Sequence, residues 1–306
     1  MSLAPGDARE GRVGPIVPIE RLEQIAAGID HAEGICLAPD GTCYVSGELG
    51  QIYRIAEDGT AHEVATTGGW TLGLAADGEG RIYACDPRRG AVMRWTPGRG
   101  DPVPWTTGAP GVPFVTPNWG AFAADGSFYV TDSGHWKARD GSVLVVRPGA
   151  GPATARTSVW TTEARDFPNG LAIHPEGHEV WVLESTPGRL VALAIGPDGA
   201  AGERRVLADL PDAVPDGIAF ATDGSVVIAC YRPDVVYRWR EDLGLQVLAH
   251  DPEGTALAAP TNVVFGGPER DVILVPNIGR WHVTRFRVEG LVGVPLAYPT
   301  QDLIGD

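Results

Sequence analysis

One segment of this chain occurs six times, and the spacing of its copies restricts what the chain can fold into. The first copy, EGICLAPDGTCYVS, contains a glycine eight positions after its first residue, and the next four copies keep that glycine. In the sixth copy Arg270 takes its place, so that copy is the least regular. The six copies begin at Glu33, Leu72, Asn118, Asn169, Asp216 and Asn262. Intervals of roughly 40 to 50 residues are typical of repeat architectures such as solenoids and propellers.

Each copy predicts two short strands joined by a glycine-containing turn. The residues behind the first copy, GQIYRIAEDGTAHEVA, predict two further strands, which makes four strands per repeat. No helical periodicity interrupts the series, so a parallel α/β sheet is disfavoured. The sequence therefore predicts an all-β fold, a six-bladed β-propeller with four-stranded blades around a central channel.

The N-terminal residues predict how the ring closes. The segment ERLEQIAAG precedes the first copy and has no partner strands of its own. We expect it to supply the outer strand of the last blade, which would leave no free edge there. The predicted organisation is a flexible leader over residues 1–17 and a single propeller domain over residues 18–306.

Composition argues against several classes of partner. The net charge is −15, and an acidic surface repels phosphate backbones, so we expect no nucleic-acid partner. No apolar run approaches the roughly 18 residues of a membrane span, and the N-terminus lacks the apolar core of a secretory signal.

The four cysteines have no CxxC spacing and predict buried thiols in a reduced, cytoplasmic protein, with a Cys36–Cys43 disulfide as the alternative. We expect a monomer or weak homo-oligomer that acts on a small molecule.

The first positions of the copies indicate a metal site. In a propeller these positions form a ring around the channel, and four of the first five carry a side-chain oxygen: Glu33, Asn118, Asn169 and Asp216. Oxygen ligands suit a hard divalent cation, Ca²⁺ most naturally. The alternative is that Asn and Asp at the start of a strand bond only to local backbone. Four such residues in register, one of them a glutamate, favour one divalent cation.

Such a ring could support hydrolysis. A cation with free positions polarises a carbonyl, and a neighbouring carboxylate can act as general base toward water. Asp216 and Glu33 are both candidates for that catalytic role. The chain contains no G-x-S-x-G nucleophile motif and no H-E-x-x-H zinc motif. His174 and His178 are expected to be solvated turn residues.

Five segments resemble those of the senescence-marker-protein-30, gluconolactonase and luciferin-regenerating-enzyme family, in the same order and spacing. They are AEGICLAPDG, PNWGAFAADGSFYVTDSG, FPNGLAIHPEG, PDGIAFATDG and TNVVFGG. The resemblance implies a six-bladed lactonase propeller with a divalent metal, most often Ca²⁺ and sometimes Zn²⁺, Mn²⁺ or Mg²⁺. It places that metal on Glu33, Asn169 and Asp216, with Asn118 approaching the metal or the substrate. It also implies Asp216 as the base.

The chain departs from this family in its third repeat. Sugar-lactone members usually have Asp just after the asparagine of this repeat and often Arg two positions before it, where this chain has Trp119 and Thr116. We expect Trp119, Trp70 and Trp136 to line the substrate pocket, with His135 as a further candidate at its mouth. Aromatic walls favour a less polar substrate than gluconolactone. A non-hydrolytic metal-assisted enzyme (cyclisation, condensation or isomerisation) and a binding propeller without turnover are the alternatives to a hydrolase.

Overall fold

The computed structural model describes residues 15–304, which form six four-stranded antiparallel sheets. The innermost strand of each sheet contacts the innermost strand of the next, and that of the sixth sheet contacts that of the first. The sheets therefore close into a ring around a channel. The predicted six-bladed β-propeller is confirmed.

Each blade is numbered in chain order, and its strands are given from the channel outward. Blade 1 contains Ile35–Leu37, Cys43–Ser46, Gln51–Ile55 and Ala61–Thr66. Blade 2 contains Leu74–Ala76, Ile82–Asp86, Ala91–Thr96 and Arg99–Thr106. Blade 3 contains Pro117–Phe122, Phe128–Asp132, Ser142–Val146 and Thr157–Thr161. Blade 4 contains Pro168–Ile173, Glu179–Glu184, Arg189–Ile195 and Ala201–Asp209.

Blade 5 contains Val214–Phe220, Val226–Arg232, Val235–Arg240 and Gly244–His250. Blade 6 contains Val264–Gly266, Val272–Asn277, His282–Phe286 and, outermost, Glu23–Ala27. The remaining elements are short. They are a hairpin of Gly108–Ala109 with Val112–Pro113, a 3₁₀ turn at Ile19–Arg21, and single helical turns at Ala153–Arg156 and Gln301–Ile304.

The outermost strand of blade 6 comes from the N-terminal part of the chain, as expected. Glu23–Ala27 pairs antiparallel with His282–Phe286, and Glu23 also forms an ion pair with Arg285 at 2.8 Å. Of the expected leader, residues 1–14 lie outside the described residues. Before the chain reaches blade 6, the N–H groups of residues 16 and 17 donate to carbonyl groups of the outer strand of blade 5.

The core lies between facing blades. The second strand of a blade is covered on both sides, so Ile82–Asp86 and Phe128–Asp132 are buried along their whole length. Such strands read as continuous apolar runs rather than as alternating ones. Every cysteine is a free thiol. Cys36 lies opposite Tyr44 rather than Cys43 in the first hairpin, which explains why this pair forms no disulfide.

The C-terminal segment crosses one end of the channel. The Tyr298 hydroxyl donates to the Leu37 carbonyl in blade 1 at 2.9 Å, and the Gly78 N–H in blade 2 donates to the Pro299 carbonyl at 2.9 Å. Ile304 is then buried in the core between blades 2 and 3. Within residues 15–304, no helix is long and apolar enough to span a bilayer.

Candidate metal and active site

The strand directions give the channel two different ends. The innermost strand of every blade begins at one end, and the antiparallel second strand ends there. This end, the upper face, therefore carries the loops between successive blades and the loops between second and third strands. The opposite end, the lower face, carries the turns between first and second strands.

The oxygen-bearing ring residues lie at the upper face. Asn118, Asn169 and Asp216 are 5%, 6% and 8% exposed, and Glu33 is half-buried. The Asn169 amide hydrogen-bonds to the Asp216 carboxylate, and Glu33 lies near enough to act on Asp216 electrostatically. The Asn118 amide nitrogen donates to the Ser133 hydroxyl at 3.0 Å. The structure thus brings Glu33, Asn169 and Asp216 together.

Glycine after the ring position allows the innermost strands to converge. A Cβ on Gly170 would lie 2.3 Å from the Asp216 carbonyl oxygen, and one on Gly34 would lie 2.2 Å from the Leu72 carbonyl oxygen. Neither contact is sterically tolerable, so a side chain at these positions would push neighbouring blades apart. The Asn-Gly pair at residues 169–170 is therefore a place of close strand approach. It is not a hairpin turn.

Burial and like charge dominate the electrostatics of the site. Burial, and then the Glu48 carboxylate, raise the pKa of Glu33 to about 8. Burial, and then the Glu33 carboxylate, raise the pKa of Asp216 well above its usual range, against the opposing effect of the Asn169 hydrogen bond. Two carboxyl groups in this position favour a proton or a cation between them.

The residues present fit a hard divalent cation. The side-chain oxygen of Asn169 is buried and has no hydrogen-bond partner, a costly state unless something else satisfies it. Beside it stand the two carboxyl groups, whose charge a divalent ion would balance. All the candidate ligands are oxygen donors, which suits Ca²⁺ better than a softer ion.

The other two ring positions differ. Leu72 is buried and apolar. The Asn262 side-chain oxygen already accepts the N–H of Val263 at 2.6 Å, so this amide is turned toward its own backbone. Asn262 therefore follows the alternative in which an asparagine at the start of a strand bonds only to local backbone.

The remaining predicted site residues lie at two depths, in the upper-face loops and inside the channel. Trp70, Trp136 and His135 lie in upper-face loops and are exposed, with His135 bonded to Asp140 at 2.7 Å. Trp119 lies deeper and lines a cavity of about 350 Å³ inside the channel.

That cavity is apolar and lies toward the lower face. Its wall consists mainly of residues of the innermost strands, among them Ile35, Leu74 and Ile218. Residues 294–298 of the C-terminal segment complete the wall.

Sequence reasoning missed several residues at the mouth. Phe167 packs edge-on against Trp136, with ring centroids 4.8 Å apart. His31 Nδ1 lies 3.1 Å from a Glu48 oxygen, and its ring packs against Trp281. Their position in loops between blades or between second and third strands was the available signal, because all such loops reach the upper face.

The fold and this site define a class: a six-bladed propeller with carboxylate and amide side chains at one end of its channel. The model of the SMP-30/gluconolactonase/LRE-like region matches residues 44–277, and the chain belongs to that family. A search among curated proteins finds no match.

Solved structures share the architecture. A gluconolactonase from Xanthomonas campestris is 21% identical with a TM-score of 0.73, over 87% of this chain and 89% of that one. Luciferin-regenerating enzyme is 15% identical with a TM-score of 0.71, over 91% and 99%. The calcium-binding protein regucalcin from Agrobacterium tumefaciens is 14% identical with a TM-score of 0.69, over 90% and 95%. At these identities the likeness establishes the fold alone.

Proposed function

We propose that this protein is a divalent-metal-dependent hydrolase of a lactone or a related cyclic ester. The observation that carries the proposal is the buried, unpartnered Asn169 oxygen beside the paired carboxyl groups of Glu33 and Asp216. Membership of the gluconolactonase-like family supports a lactonase-type activity. The calcium-binding neighbour supports Ca²⁺ as the ion.

Each of the four ring residues with a free side-chain oxygen has a proposed role. Glu33, Asn118, Asn169 and Asp216 would hold the cation, which when bound supplies a Lewis acid for the lactone carbonyl. Asp216 accepts a proton from the attacking water. The Asn169 amide orients the Asp216 carboxylate and favours its ionised form. Glu33 contributes negative charge and is the second candidate for the base.

The test is turnover of a lactone panel with and without a chelator. We expect hydrolysis in Ca²⁺, loss of hydrolysis in excess chelator, and recovery when Ca²⁺ is restored. Chelation should also lower the melting temperature, because an ion that binds the folded state stabilises it by mass action. Full activity after removal of all metal would contradict the proposal.

We further propose a substrate less polar than an aldonolactone. Trp119 follows the ring residue Asn118 directly and borders the apolar cavity, and the Trp136–Phe167 pair lies at the mouth. A polyol would find few partners on these surfaces and would leave hydroxyl groups poorly satisfied. Alkyl or aromatic lactones suit such walls better.

Comparing kcat/KM for δ-gluconolactone and a γ-alkyl lactone tests this choice. We expect the alkyl lactone to have the higher kcat/KM. Trp119→Ala should reduce the ratio of the two kcat/KM values by about tenfold, which corresponds to a free-energy difference of roughly 1.4 kcal/mol. A preference for the aldonolactone that is unchanged in Trp119→Ala would show that the tryptophan is structural.

We also propose a cellular compartment and an oligomeric state for this protein. The four free thiols support a reducing compartment such as the cytoplasm. Strand Glu23–Ala27 pairs with His282–Phe286, so that inner strand is not available for pairing with another chain, which supports a monomer or weak homo-oligomer.

A further inference from the structure

A second group of metal-ligating side chains lies at the lower face. The turn between the first two strands of blade 4 carries His174, Glu176 and His178. Strand Pro168–Ile173, which carries the ring residue Asn169 near its start, ends just before His174. At about 3.3 Å per residue the two places are roughly 16 Å apart, so they cannot share an ion.

The turn brings the three side chains together. One ligand atom from each residue lies within 4.8 Å of those of the other two. His178 Nδ1 is 3.4 Å from a Glu176 oxygen, and the two imidazole rings have centroids 4.5 Å apart. Gly177, with φ +73°, reverses the chain between them, and its N–H donates to the His174 carbonyl at 2.7 Å.

The cluster is partly held in place by its surroundings. The half-buried His174 ring packs against Trp181 and Phe220, with centroids 5.7 and 5.4 Å away. Glu179 is bonded to Trp181 and Arg205, so it does not compete for the histidines by hydrogen bonding.

The cluster also borders the channel. His174, Pro175 and Gly177 contribute to the wall of the 350 Å³ cavity. Two imidazoles and a carboxylate are ligands that zinc accepts, and three protein ligands leave one of its four usual positions open. Water or a small ligand could take that position from the cavity or from solvent.

We propose that His174, Glu176 and His178 form a second metal site, for Zn²⁺ or a similar nitrogen-preferring ion, separate from the oxygen ring at the upper face. This site uses none of the residues assigned to lactone hydrolysis. A failure of the metal-site proposal would therefore leave the proposed function unaffected, and the reverse also holds.

The experiment is calorimetric titration of the Ca²⁺-saturated protein with Zn²⁺. We expect one Zn²⁺ per chain with micromolar affinity. His178→Ala should weaken it at least tenfold, and since His178 is an exposed turn residue we expect this variant to fold. His62→Ala, an exposed histidine of blade 1, is the matched control and should bind as the parent does.

A second measurement locates the ion. Co²⁺ in place of Zn²⁺ should give visible absorption that His178→Ala abolishes and Asp216→Asn preserves. No Zn²⁺ binding by the Ca²⁺-saturated protein would overturn the proposal. So would binding that is insensitive to His178→Ala, or binding that disappears in Asp216→Asn.

Discussion

At the scale of single residues, the two carboxyl groups of the site have different surroundings. Asp216 is buried and receives the Asn169 hydrogen bond, whereas Glu33 is half-buried and lies near the Glu48 carboxylate. A hydrogen bond to a carboxylate favours its ionised form, and a nearby negative charge disfavours it. Burial raises the pKa of both carboxyl groups, and a neighbouring carboxylate raises each further, but only Asp216 has the Asn169 hydrogen bond that orients it and favours its ionised form. We therefore propose Asp216 as the base once a cation is bound.

Asp216→Asn tests that assignment. Asparagine keeps a ligand oxygen but cannot accept a proton at neutral pH. We expect kcat to fall by about 10²–10⁴, the usual contribution of a general base, while Ca²⁺ still binds with reduced affinity. Kinetics on the best lactone and calorimetric Ca²⁺ titration measure the two effects. Near-parental kcat would move the base to Glu33.

Proton-linked metal binding is the second prediction at this scale. The pKa of Glu33 is raised to about 8 and that of Asp216 is also raised, so the folded metal-free protein holds protons that the unfolded chain has lost. The stability of the metal-free protein should therefore fall as pH rises from about 5, just above an ordinary carboxyl pKa, through about 8. Ca²⁺ must displace these protons, so its affinity should rise through the same window.

Calorimetry at pH 6, 7 and 8, in buffers with different ionisation enthalpies, measures both the affinity and the protons released. Glu33→Gln removes one titrating group and should release fewer protons. A Ca²⁺ affinity that does not vary between pH 6 and 8 would contradict the raised pKa values.

At the scale of the element, the spacing of the innermost strands depends on residues that have no side chain. Gly34, Gly73, Gly170 and Gly217 all face the backbone of the next innermost strand at distances that exclude a Cβ. In blade 3 the corresponding residue is Trp119, which lines the cavity and packs against the core between blades 3 and 4. Strand spacing and ligand placement are therefore coupled, because each of these residues follows a ring position.

Gly170→Ala should disturb both the spacing of the innermost strands and the placement of the ligand Asp216. The added methyl would approach the Asp216 carbonyl oxygen, which belongs to rigid backbone, so we expect a loss of about 1–3 kcal/mol in the free energy of unfolding. Because the affected backbone carries Asp216, Ca²⁺ affinity should fall as well. Gly202→Ala, on the exposed outer strand of the same blade, is the matched control and should change both quantities less. Equal effects of the two substitutions in denaturant titrations would show that close strand approach is unimportant.

At the scale of the whole molecule, the ring depends on a contact between distant parts of the chain. Strand Glu23–Ala27 completes a blade whose other three strands lie after residue 263. The buried Ala26 packs in the cluster between blades 6 and 1. Without this strand His282–Phe286 would become a free edge, which is a template for association.

Removing residues 1–27 tests the closure. We expect the melting temperature to fall by on the order of 10 °C, as for a loss of several kcal/mol, and the protein to associate at micromolar concentration. A matched protein that lacks residues 1–14 keeps all of residues 15–304 and serves as the control. Thermal melting and light scattering provide the readouts, and a monomer with parental stability after the longer deletion would mean that the strand is dispensable.

The sequence by itself determined the architecture, because a propeller repeats one local pattern. Six copies of one strand–turn–strand pattern, five of them with the same turn glycine, were enough to predict six blades, and the unpartnered N-terminal segment predicted the closing strand. The same register placed Glu33, Asn118, Asn169 and Asp216 at one end of the channel. Only the tertiary structure decided what each ring residue bonds to, since the Asn169 oxygen is unpartnered while that of Asn262 accepts a backbone N–H. It also decided that His174, expected to be solvated, packs against two aromatic rings beside a cavity, because that contact joins blades 4 and 5 across a distance that no local pattern encodes.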